Sequence, residues 1–105
     1  MVISAQWERL PETLVHGRIR HRRFDTDSMT IVRYEFAPHA VFPRHAHPEP
    51  QVTLVLEGML TFDFGDGSSS YRAGEIVAIP RDQPHEGRAG EAGAVILCLF
   101  APPRP

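Results

Sequence analysis

Apolar and polar residues alternate along most of this chain with a period of two, and the three-and-four spacing of a helix is almost absent. The alternation predicts strands near 17–24, 29–36, 51–57, 59–64, 69–72, 75–79, 85–89 and 94–100. Turn chemistry separates them: APHA at 37–40, HPEP at 47–50, Gly58, GDG at 65–67, AG at 73–74 and PRDQP at 80–84. TFDFGDGSSSY reads as a hairpin with Asp66-Gly67 at its tip. From 51 onward, Gln51, Thr53 and Val55 share one face of a strand, and Val52, Leu54 and Leu56 share the other. Many short, evenly spaced strands point to an all-β sandwich or barrel. No repeat or linker divides 1–105, so one domain is expected, with arms at about 1–14 and 101–105.

Composition narrows the chemistry. The 105 residues suffice for one hydrophobic core. A formal charge of −2 argues against a nucleic-acid surface. Every basic residue is arginine, which removes lysine-based Schiff-base catalysis. The single cysteine, Cys98, removes an internal disulfide and a Cys-rich zinc module. No apolar run approaches the roughly 20 residues of a membrane helix, and residues 1–12 lack a signal-peptide pattern, so a cytoplasmic location without membrane contact is expected. Arg18, Arg20 and Arg22 would share a strand face, and a charged sheet edge that discourages pairing is the expected use. The serines cluster at 68–70, away from any histidine, so no serine hydrolase triad is expected.

Two segments carry candidate chemistry. In FPRHAHPEPQVTLVLEG, His45 and His47 stand one residue apart among Pro43, Pro48 and Pro50, which favour extended backbone. In GEIVAIPRDQPHEG, His85 follows a proline-bounded turn. Three imidazoles and the amide oxygen of Gln51 converging from two places would suit a first-row divalent metal ion.

These segments resemble the two cupin motifs. H-A-H-P-E-P-Q-V-T-L-V-L-E-G fits the first, and G-E-I-V-A-I-P-R-D-Q-P-H fits the second, in order and at the right separation. The resemblance covers about 29–100. It implies a conical jelly-roll barrel of two antiparallel sheets, a metal held by His45, His47, Gln51 and His85, and a homodimer. Zinc, nickel, iron, manganese and cobalt all suit such ligands. Three departures stand out. His39 occupies a usual glycine position, where a left-handed turn or a place beside the metal are the alternatives. Ala89 replaces a common asparagine. Gln51 replaces a common glutamate, leaving the ion its full charge and favouring anionic or oxygen-rich small ligands.

CLFAPPR at 98–104 further resembles the end of the KdgF-type cupins, which open the ring of 4,5-unsaturated uronates. In that comparison Phe100 and Arg104 are kept as substrate-binding residues, and Cys98 takes the place of an aspartate. Arg104 would clamp a substrate carboxylate, and Cys98 would have to carry the proton or serve only as a small hydrophobe. The alternatives are an iron- or nickel-dependent dioxygenase and a non-catalytic small-molecule or metal-binding module. Glu49, between two prolines, is a candidate neighbour of the ligands, and Glu57 reads as solvated.

Overall fold

The computed structural model describes residues 1–105. A 3-10 turn, Trp7–Arg9, precedes eight strands: β1 Thr13–Val15, β2 Ile19–Asp25, β3 Thr30–Phe36, β4 Val41–His45, β5 Gln51–Asp63, β6 Ser68–Arg72, β7 Ile76–Ile79 and β8 His85–Phe100. All pairings are antiparallel, in the order β1-β2-β3-β8-β5-β6, with β4 on β8 and β7 on β5. No helix is long and apolar enough to cross a membrane.

Two long bent strands make the barrel. The second half of β8 lies between β3 and the first half of β5; its first half lies between β4 and the second half of β5. β5 and β8 therefore belong to both sheets. The sequence pattern breaks each into two strands, because Gly58 and the 90–93 stretch read as turns. Instead the chain runs on through register shifts at 55/57 and 58/60. Gly58 (φ +74) faces Gly93 (φ +78), and a Cβ on Gly58 would lie 2.1 Å from the Gly93 carbonyl oxygen. Glycine inside a strand marks a bulge and a close backbone approach here, not a chain reversal.

Alternation decides the interior as expected. Val32 and Phe36 of β3, Val55, Leu60 and Phe62 of β5, and Ala94, Ile96, Cys98 and Phe100 of β8 are buried together. The outward positions Val52, Leu56 and Ile76 stay exposed. Three local expectations change. The β5–β6 hairpin closes with Phe64 N–H donating to Gly67 O, so its central pair is Gly65-Asp66. Gly65 takes the positive φ of +94 there, as a primed turn requires, and Asp66 does not. The arm at 1–14 is partly structured, since β1 pairs with β2. That pairing means the arginine row is no sheet edge: Arg20 and Arg22 reach Glu12 at 3.6 and 3.0 Å, and Arg22 also donates to the carbonyls of Trp7 and Leu10.

Candidate metal centre

The barrel register places the histidines. His45, ending β4, lies directly opposite His85, which begins β8. β4 itself falls in the stretch that sequence pattern leaves as loop, because Pro43 and Arg44 hide its alternation. His47 sits on the connection that follows, its carbonyl accepting a 2.8 Å bond from Asp82 N–H. That bond ties the first motif to the second. Asp82 adopts φ +62 and His39 adopts φ +61. Both occupy motif places where glycine or a short polar residue is usual, and the reason is the left-handed backbone each turn needs. His39 is exposed and outside the cluster, so the left-handed turn is its role.

The ligand nitrogens of His45, His47 and His85 all lie within 4.8 Å of one another. Each Nδ1 meets a backbone carbonyl: His45 to Pro43 at 2.9 Å, His47 to Glu49 at 2.8 Å and His85 to Gln83 at 2.8 Å. A carbonyl only accepts, so Nδ1 carries the proton and Nε2 keeps a lone pair. His85 Nε2 is buried with no protein partner. His47 Nε2 lies 3.0 Å from Gln51 Oε1. The Gln51 amide nitrogen donates to Thr53 Oγ1 at 2.9 Å and towards Cys98 Sγ at 3.5 Å, which turns its oxygen to the histidines. Two acceptors thus face each other beside a third lone pair. A cation among them satisfies all three at once, and three histidines are therefore positioned to bind a metal.

Burial pushes the His85 pKa down to about 4 and lowers that of His45, with the neighbouring imidazoles adding to both effects. Neutral rings are what a metal requires. For the metal-free protein the linkage sign is clear. An unfolded histidine takes a proton near pH 6.5, while folded His85 refuses one until about 4. Stability is therefore full above pH 6.5 and is lost as pH falls towards 4; solvent screening at the cavity brings the His85 contribution from about 3 kcal/mol to the order of 2. Urea unfolding in chelator at pH 7 and pH 4.5 should show this loss, and bound metal should shift the curve to lower pH.

The residues expected to bind substrate surround the same cavity, of about 290 Å³. Its wall includes Phe100 and Arg104 together with Gln51, His45 and His85. The Arg104 guanidinium lies 5.2 Å over the Phe100 ring and pairs with Glu49 at 3.4 Å. Its backbone is tied down too: Arg104 N–H donates to Thr30 Oγ1 at 3.0 Å, and Arg23 donates to the carbonyls of Arg104 and Pro105. Glu49 is buried and also stands 3.8 Å from His47 Nδ1, so it links the arginine to the histidines. Glu57 is exposed, as expected.

Cys98 does share the inward face with Ile96 and Phe100. It lies beneath Gln51, 2% exposed, in contact with Thr53 Oγ1 at 3.3 Å, and burial pushes its pKa up to about 12. That setting makes it a packed support for the Gln51 amide, not a carrier of protons. Tyr34, Phe42 and His16 also line the cavity and were not singled out from sequence. The signal for Tyr34 was present in TIVRYEF, where Val32, Tyr34 and Phe36 alternate with Arg33 and Glu35.

An all-β barrel with three clustered histidines, two of them buried, at a small cavity defines a metal-binding barrel class. Within that class the chain belongs to the cupin domain family, whose match spans residues 32–100. It is similar to an RmlC-like cupin from Shewanella frigidimarina (21% identity, TM-score 0.86, covering 95% of this chain and 90% of that one). It is similar to KdgF from Halomonas sp. (21%, 0.84, 92% and 90%) and to the polyketide cyclase RemF from Streptomyces resistomycificus (23%, 0.87, 100% and 82%). At these identities the likeness establishes the fold. The curated proteins give no match.

Proposed function

We propose that this cupin binds one divalent metal ion through His45, His47, His85 and Gln51 and acts on a small anionic carbohydrate or organic acid, with ring opening of a 4,5-unsaturated uronate as the specific reaction. The observation that carries this is the placement of Arg104, stacked on Phe100, in the wall of the cavity that His45, His85 and Gln51 also line. A planar guanidinium beside an aromatic face suits a ring bearing a carboxylate. The volume, at the small end for ligand pockets, suits a single sugar ring.

The ion, when bound, would supply Lewis-acid polarisation of a substrate oxygen. The chain's own groups do the rest. Arg104 holds the carboxylate, and Glu49 keeps the guanidinium in place. Phe100 offers the ring a flat apolar face, and its own edge packs on His47 with centroids 5.5 Å apart. Thr53 and Cys98 hold the Gln51 amide with its oxygen turned inward. Incubation with unsaturated galacturonate, followed by loss of the enol-ether absorbance, tests the activity. Turnover no faster than buffer sinks it, and oxygen uptake by the iron-loaded protein would then favour a dioxygenase.

The small-cupin resemblance also carries a homodimer into this proposal, with exposed Val52, Leu56 and Ile76 as its apolar surface. Light scattering should give about twice the 11.8 kDa chain mass, and a mass of one chain would rule it out.

A further inference from the structure

Opening the ring of a uronate requires a group that carries a proton, and we infer that this group is His16, on the turn between β1 and β2. The inference rests on the ring-opening function proposed above and adds the residue that completes it. The aspartate that the motif comparison leads one to seek is Cys98 here, and that thiol, although in the cavity wall, is 2% exposed and engaged by the Gln51 amide and the Thr53 hydroxyl.

His16 belongs to the wall of the same cavity as His45, His85 and Arg104, but comes from the opposite end of the chain. Its ring packs edge-on against Phe42, with centroids 4.4 Å apart, and Phe42 in turn lies 4.8 Å from the His45 ring. The backbone is held at φ +50, followed by Gly17 at φ +78. The turn joins the register partners Val15 and Ile19. Glycine would meet that conformation at no steric cost. His16 is exposed, so packing does not demand an imidazole at this place.

The other cavity groups are committed. The three triad imidazoles and Gln51 serve as ligands in the proposed function. Arg44 and Arg104 carry guanidinium groups, which only donate hydrogen bonds and offer no acceptor for a substrate proton. The Tyr34 phenol holds its proton more tightly than usual because of burial. His16 joins a place in the cavity wall to solvent access and to an imidazole, the side chain most often used as a general acid and base.

The step balances without an oxidant, a reductant or water. The hydroxyl on the anomeric carbon gives its proton to His16, and the bond between that carbon and the ring oxygen breaks. The electron pair of the broken bond leaves an aldehyde at one end and an enolate at the other. The enolate carbon then takes a proton back from His16, and the enolate becomes a ketone. One proton leaves oxygen and one arrives on carbon, so the reaction is an isomerisation.

The test uses the full chain, zinc-loaded, as wild type, His16→Gln and His16→Ala. Three quantities are read: metal content, binding of saturated galacturonate by calorimetry, and turnover of unsaturated galacturonate. His16→Gln should keep metal and galacturonate affinity within about twofold and lose at least about 100-fold in kcat. Free imidazole should restore part of the rate of His16→Ala. In the wild type, saturated galacturonate should also shift the ring-proton NMR signals that disappear in His16→Gln. Wild-type kcat in His16→Gln, or no shift of those signals at saturation, overturns the inference and leaves the ring-opening function standing. Loss of metal or galacturonate binding in His16→Gln would assign the residue a structural role and overturn it as well. A wild type that leaves unsaturated galacturonate unchanged overturns the ring-opening function, and the inference with it.

Discussion

Gly58→Ala is expected to cost the protein roughly 2–5 kcal/mol, a large share of the stability of a marginally stable domain. Two penalties combine. At φ +74 an L side chain pays about 1–2 kcal/mol for left-handed backbone. The added methyl would also sit 2.1 Å from the Gly93 carbonyl oxygen and 3.1 Å from the Ala94 Cα, and both belong to backbone that cannot swing away. Overpacking of that kind costs a further 1–3 kcal/mol or so. The contact lies where β5 and β8 bend between the two sheets, so relief would have to come from the bend itself. Gly67→Ala is the contrast, since a Cβ there meets nothing within 4 Å, although its φ of +154 still leaves some strain. Urea unfolding of the three proteins measures the difference. A Gly58→Ala midpoint close to wild type would show that the bulge has slack.

His47→Ala is expected to abolish metal retention. It removes one of three imidazole ligands, and it also removes the ring whose Nε2 faces Gln51 Oε1. His47 further accounts for the bond that its Nδ1–H donates to Glu49 O, on the loop between β4 and β5. Loss of an outer partner alone typically lowers metal affinity 10–100-fold, so loss of a ligand should exceed that range. Titration of stripped wild type and variant with zinc, read by calorimetry, gives the ratio. Gln51→Leu should fall between them, because it removes one neutral oxygen and leaves three nitrogens. Equal affinities for wild type and His47→Ala would place the metal elsewhere.

Much of this was legible from residue pattern, and the failures have a common cause. Alternation put Gln51, Thr53 and Val55 on one face of β5, and the fold buries that face together. It could not tell a bulge from a turn at Gly58, since glycine licenses both and only the facing Gly93 decides between them. β4 went unseen because VFPRH has no alternation left to read. The histidine triad was legible because spacing and motif agreed on it. The inward-turned Gln51 oxygen depends on Thr53 and on Cys98, 47 residues away in sequence, and no local pattern encodes that. His16 lies outside both motifs, so its sequence context carries no signal. Only the fold brings its turn to the cavity mouth, beside Phe42.

Elemental analysis of the wild-type chain, purified without chelators, tests the central claim most directly. About one equivalent of a divalent transition metal per chain, removed by chelator and restored on reconstitution, is the predicted result. No metal as purified, and none taken up when zinc, nickel, iron, manganese and cobalt are each supplied, would contradict it. The triad would then be a hydrogen-bonded cluster lining a metal-free binding pocket.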